Sequence, residues 1–234
     1  MSDHLTLAQV DRDGALAETL DRIGPDSRAG FLRKGALLGG GIIGGGAVLS
    51  ALFADAAEAA TENDIAIANF ALTLEYLEAE FYTEAVAMGA IRNARVRRFA
   101  QVVAAHERTH VAALKGMLGA RAVAKPSFDF QGTTENEAKF KATAQVLEDT
   151  GVMAYAGQAP RVDANAVLKA ALAIHTVEAR HASWIRHING APPAPAAFDK
   201  PKTMAQILAA VGKTGFISTG PGMTATGSPP SFTG

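Results

Sequence analysis

The feature that most constrains this chain is a pattern of polar residues that occurs twice. Glu75 is followed seven residues on by Tyr82, and then by Glu107 and His110 in the spacing Glu-x-x-His. Glu148 is followed seven residues on by Tyr155, and then by Glu178 and His181 in that same spacing. The two glutamates of a half are 32 residues apart in the first half and 30 in the second. Apolar residues surround each of them at three- and four-residue intervals, the period of an amphipathic helix. On a helix, positions i and i+3 share a face, and i+7 returns to nearly the same stripe. Each half therefore points a carboxylate and a tyrosine, then a carboxylate and an imidazole, into an apolar interior. Buried glutamates are costly to keep ionised unless cations neutralise them. Four carboxylates and two imidazoles fit around two metal ions. An oxygen-rich set with one imidazole per metal suits iron, or manganese, although affinity order alone favours copper or zinc.

The helical period runs from Thr61 onward and predicts four long helices, over about 62–89, 93–118, 134–157 and 163–189, plus a short fifth over 203–211. Glycines at 89, 119 and 190 mark three of the stops, and Thr133 or Thr134 is a candidate cap for the third helix. The first and second helices, and the third and fourth, are joined by only a few residues, so each pair forms an antiparallel hairpin. The link over about 120–133 contains Pro126 and no helical pattern. A helix of about 25 residues is roughly 37 Å long, and a link of about 14 residues stretches some 46 Å. That link can return along the whole length of a bundle. The fold class is therefore all-α: a four-helix bundle of two antiparallel hairpins joined by a long crossover.

Residues 106–110, His-Glu-Arg-Thr-His, also spell the zinc-protease signature His-Glu-x-x-His. That reading needs a third ligand downstream and a strand edge for substrate, and no strand is legible in the sequence. The second half has Val177 where the first has His106, so only Glu-x-x-His repeats. His106 is read as an outward or interface histidine. Glu78 and Glu80 compete with Glu75; Glu78 lies one turn along the same face and is an alternative ligand, but only Glu75 repeats with a tyrosine at seven. Asp149 is read as solvated, His175 as a packing or outer residue, and Tyr76 and Trp184 as packing.

The N-terminal part differs. Residues 1–34 are polar and close on Ser-Arg-Ala-Gly-Phe-Leu-Arg-Lys; an uncharged run rich in Gly and Ala covers 35–54, and small residues stand at Ala57 and Ala59. Basic region, apolar region and small-residue site in that order read as an export signal. Residues 27–33 resemble a twin-arginine signal that lacks the second arginine, since position 29 is Ala. The expected location is the periplasm, with a membrane anchor through 35–54 as the competing reading. Residues 1–59 are taken as leader, 60–200 as the bundle, and 201–234 as a short helix with a Gly/Pro/Ser/Thr-rich tail expected to be disordered from 212 on. Gly212-Lys213-Thr214 lacks the upstream glycine of a phosphate-binding loop, because position 207 is Ile. A net charge of −1 argues against a nucleic-acid partner. The chain has no cysteine, which excludes disulfides, thiolate metal sites and iron–sulfur clusters.

Four segments together resemble a known family: Leu-Glu-Tyr-Leu-Glu-Ala-Glu-Phe-Tyr (74–82), His-Glu-Arg-Thr-His (106–110), Gly-Val-Met-Ala-Tyr-x-Gly-Gln-Ala-Pro (151–160) and Val-Glu-Ala-Arg-His (177–181). Residues 62–200 are similar to the ferritin-like superfamily of di-iron carboxylate proteins, and within it to the bacterial ferritin-like domain family that includes desiccation-related proteins. The resemblance implies a ferritin-like bundle binding two Fe ions, with Glu75, Glu107, His110, Glu148, Glu178 and His181 as ligands. It also implies reaction with oxygen or peroxide, of a ferroxidase or peroxidase type, in iron oxidation or oxidative and desiccation stress. Tyr82 and Tyr155 are expected to hold ligand carboxylates. The alternatives are a non-enzymatic structural or stress-protection bundle with structural metal or none, and an oligomeric mineral-storing cage.

Overall fold

The computed structural model describes residues 46–218. The twin-arginine-like stretch, most of the glycine-rich run and the tail beyond 218 lie outside the described residues. Six α-helices are described: α1 (Gly46–Ala59), α2 (Glu62–Met88), α3 (Ala94–Leu118), α4 (Glu137–Gln158), α5 (Asn165–Ile188) and α6 (Met204–Thr214). Helix α2 packs along α3 and α4 along α5, and the two hairpins meet through α2–α4 and α3–α5 contacts. The segment between Leu118 and Glu137 is the long crossover. This is the all-α bundle that the connection lengths predict.

Local chemistry sets the helix ends. Helix α2 begins at a reciprocal box in which the Thr61 hydroxyl accepts from the Asp64 amide and the Asp64 carboxylate accepts from the Thr61 amide. It stops at Gly89, whose φ of 64° is the left-handed conformation that favours glycine. Asn93 caps α3. Helix α4 starts at Glu137 behind Asn136, whose side chain accepts from Ala138 and Lys139. Neither expected threonine is its cap; Thr134 is buried and donates to Glu84 instead. Helix α5 has no side-chain cap of its own. Fully buried Asp64, from the start of α2, accepts from the Asp163 and Ala164 amides just ahead of it, so one carboxylate caps two helices.

Two apolar clusters fill the bundle. One gathers Phe81, Tyr82, Phe99, Phe130 and Phe140, and the other gathers Leu72, Tyr76, Leu114, Tyr155 and Ile174. Phe53 and Ala56 of α1 join the second cluster, so this part of the 35–54 run lies against the bundle. Among the described residues no helix is long and apolar enough to cross a membrane. Helix α6, opened by a Thr203–Gln206 box, buries Ile207 and Val211 in the first cluster and continues to Thr214. Beyond it Phe128 pairs with Ile217 and Ser127 with Ser218 in a short antiparallel ladder. Order therefore extends past the expected limit at 212, because Phe216 is buried beside Phe130. Two-residue strands carry no readable alternation, so the sequence shows none of this.

The glycine at 157 has a steric reason. A Cβ there would lie 1.8 Å from the Lys202 carbonyl oxygen, where the Lys202 amide also donates to the Met153 carbonyl. Gly157→Ala forces that backbone away from α4. The expected loss is about 1–3 kcal/mol of stability, as for other overpacked sites, read in a denaturant titration; an unchanged midpoint contradicts the close approach.

Candidate metal centre

Four long helices each bring acidic or basic side chains to one buried place. Glu75, Glu107, His110, Glu148, Glu178 and His181 are all at most 8% exposed. They form two overlapping groups: Glu75, Glu107, His110 and Glu178 in one, and Glu107, Glu148 and His181 in the other. All six candidate ligands are thus brought together, and Glu107 belongs to both groups.

The distances show how the halves interlock. Glu107 Oε2 lies 3.2 Å from His110 Nδ1, and its Oε1 lies 3.1 Å from His181 Nδ1. Glu178 Oε1 lies 3.0 Å from His110 Nδ1, and its Oε2 lies 3.5 Å from His181 Nδ1. These two carboxylates each span both imidazoles. Glu75 and Glu148 are terminal: Glu75 Oε2 is 3.1 Å from His110 Nδ1, and Glu148 Oε2 is 3.4 Å from His181 Nδ1. The tyrosines cross over. Tyr82 donates to Glu148 at 2.5 Å, and Tyr155 donates to Glu75 at 2.6 Å. Each tyrosine thus holds the other half's carboxylate, Tyr82 from the first apolar cluster and Tyr155 from the second.

Burial and the mutual field set the charges. Burial, followed by the charges of Glu178 and Glu75, raises the Glu107 carboxyl well above the ordinary range. Burial pushes Glu148 up to about 7, with the His181 hydrogen bond holding it back. Burial alone would raise Glu178, but the nearby imidazoles of His110 and His181 draw it down to about 2. Burial alone would lower His181, yet the nearby carboxylates of Glu107, Glu148 and Glu178 push it up to about 12. His110 is driven up too, by Glu75, Glu107 and Glu178 acting against burial. The protonated imidazoles occupy the positive role among the carboxylates. Burial raises both tyrosines well above their usual range, followed by Glu148 for Tyr82 and Glu75 for Tyr155, so both hydroxyls remain donors.

The chemistry of the donor set fits two metal ions. Glu107 Oε1, Glu148 Oε2, both oxygens of Glu178 and Nδ1 of His181 are buried without a well-formed hydrogen bond. Orphaned polar atoms of this kind are rare in protein interiors and call for an ion or another ligand. Both imidazoles present Nδ1 to the carboxylates.

Other assignments change. His106 is half-buried and its Nδ1 stands 2.9 Å from His181 Nε2, with the rings stacked. Burial, followed by the charges of His181 and His110, lowers its pKa. The contact leaves His181 Nδ1 facing the carboxylates, and an outer partner of this kind fixes the orientation of a ligating imidazole. The repeat hid this role, because Val177 offers no counterpart. Asp149 is not simply solvated; Arg186 grips it with two bonds, of 2.8 and 2.6 Å. Glu80 pairs with Lys125 at the surface. His175 lies against the Tyr155 ring, and Trp184 packs edge-on against Phe99. Glu78 is buried; burial, then the charges of Glu148, Glu178, Glu107 and Glu75, raises its pKa well above the ordinary range.

Comparison with known proteins agrees with this architecture. No curated protein matches the chain. A ferritin-like domain model matches residues 63–191, from the start of α2 to just past the end of α5. That span covers more than half of the 234 residues and contains every member of the buried cluster. The chain belongs to the ferritin-like domain family.

Proposed function

We propose that this bundle holds two metal ions, iron by preference and manganese as the alternative, through Glu75, Glu107, His110, Glu148, Glu178 and His181, and that oxygen or peroxide reacts there. The observation that carries the reading is the pair of carboxylates, Glu107 and Glu178, each aiming one oxygen at each imidazole. Carboxylates placed in this way would be able to bind two cations together. Bound ferrous ions supply the electrons for reducing oxygen or peroxide. The protein's own residues bind, orient and shield. Tyr82 and Tyr155 fix the terminal carboxylates, His106 fixes the His181 ring, and the aromatic cluster around Phe81 and Phe99 keeps one side dry. The physiological role in this reading is iron oxidation or protection against oxidative or desiccation stress. We read the leader as an export signal, which sets that role in the periplasm; residue 1 persisting on protein from a periplasmic fraction would exclude its cleavage.

The test is to load the metal-free full chain with Fe²⁺ under anaerobic conditions and then add oxygen or peroxide. Two ferrous ions per chain should be oxidised, with a ferric absorption band that requires Glu107 and Glu148. Oxidation no faster than that of free Fe²⁺ would reject the reading in favour of a structural bundle.

Metal affinity should fall with acid. His181 releases its proton only near pH 12 without metal, so a cation must displace that proton throughout the neutral range, and the one on His110 as well. Affinity that depends on displaced protons strengthens as pH rises. The two imidazolium protons alone give a slope of at least about two in log K per pH unit, and the raised carboxyl of Glu107, with Glu148 below about 7, steepens it. Calorimetric titration in buffers of different ionisation enthalpy counts the protons; affinity equal at pH 6 and pH 8 contradicts the assignment.

A further inference from the structure

The two halves of the centre are not equivalent, and the difference lies at one pair of positions. Glu78 follows Glu75 by three residues, on the same face of α2. The corresponding position in α4, three residues after Glu148, is Gly151. The structure uses that glycine. A Cβ at 151 would meet Glu78 Oε1 at 3.5 Å, Glu78 Oε2 at 3.8 Å and Glu178 Oε2 at 3.8 Å. The Glu78 carboxylate therefore sits in the space that a side chain on α4 would fill. The Glu178 oxygen within reach of that same Cβ is the one that faces His181, not the one that faces His110.

Three further facts place Glu78 with the centre. It is only 3% exposed. The tyrosine hydroxyls are committed elsewhere, to Glu148, Glu75 and the Val123 carbonyl, so none caps Glu78. The close histidine contacts of the cluster go to Glu75, Glu107, Glu148 and Glu178. His106 marks the same side, since it orients His181 and no counterpart backs His110 from position 177.

We propose that Glu78 is a seventh ligand residue of the di-metal centre, serving only the metal position at Glu148 and His181, and that this makes the two positions unequal. The inference rests on the di-metal reading and goes beyond it. At the His181 position Glu78 would join Glu107, Glu148 and His181, with Glu178 shared between the two positions, whereas the His110 position has Glu75, Glu107, Glu178 and His110. The first is richer in anionic oxygen and binds a hard divalent cation more tightly. It fills first.

The experiment is a titration of the metal-free full chain with Mn²⁺, followed by calorimetry and by electron paramagnetic resonance of the bound ion. The wild type should show two binding steps at least about tenfold apart. Glu78→Gln, which keeps size and removes charge, should weaken the tighter step about tenfold or more and bring the two together. Glu78→Asp should fall between them, and Glu75→Gln should weaken the looser step alone. The resonance of the singly loaded chain should change in Glu78→Gln and not in Glu75→Gln, a result that a packing role would not produce. Two equal steps in the wild type, or steps unmoved by Glu78→Gln, would overturn the inference while leaving the di-metal reading intact. A wild type that takes fewer than two Mn²⁺ and fewer than two Fe²⁺ overturns both.

Discussion

Glu107→Gln is expected to lower metal content from two ions per chain to less than one, with affinity reduced at least about 100-fold. Glu107 Oε1 and Oε2 face different imidazoles at 3.1 and 3.2 Å. Glutamine keeps the shape but turns one oxygen into an amide that cannot ligate. Outer residues that merely support ligands typically cost 10–100-fold in metal affinity, and a shared bridge should cost at least the upper end. The metal-free fold should survive. Burial and the neighbouring carboxylates already raise the Glu107 carboxyl well above its ordinary range, which favours its neutral form, and a neutral amide matches that form in shape and charge. Elemental analysis beside a thermal melt separates the two effects. Loss of metal with an intact melt supports a bridging ligand; loss of both would mean that the residue is structural.

Phe81→Ala is expected to be the most destabilising single truncation in the bundle. The ring is fully buried, lies 5.3 Å from both Phe130 and Phe140, and meets Tyr82 edge-on at 5.2 Å. These partners come from the crossover and from α4 as well as from α2, so no single element can collapse into the void. Truncations of this kind cost about 3–5 kcal/mol, and in a protein of this size each kcal/mol lowers Tm by about 2–4 °C. The expected drop is roughly 6–20 °C, with two metals still bound at 25 °C. A drop under about 3 °C would mean that the aromatic cluster does not anchor the crossover.

What was legible in the sequence follows from period. Glu-x-x-His and Glu-x₆-Tyr are local, because helical geometry fixes who shares a face, and the doubled motif names six residues that the fold brings to one buried place. Relations between helices were harder. Nothing local says that Asp64 caps α5 across about 100 residues of chain, or that Tyr82 reaches Glu148 rather than its own helix's Glu75. A Gly-rich composition suggests an end of order at 212, but Phe216 docks on the first cluster and Ile217 and Ser218 pair with the crossover. His106 was set aside by the same symmetry that found the cluster. Symmetry locates shared ligands and conceals what only one half possesses. Glu78 opposite Gly151 is the clearest instance, and both residues stand at readable offsets from the glutamates already chosen.

The most direct measurement is the number of metal ions per chain in the full-length protein, purified without added metal and again after loading with Fe²⁺. Two per loaded chain is the value expected, falling to one in Glu75→Gln and to less than one in Glu107→Gln. A loaded wild type holding fewer than one ion per chain, unchanged by either substitution, would contradict the account.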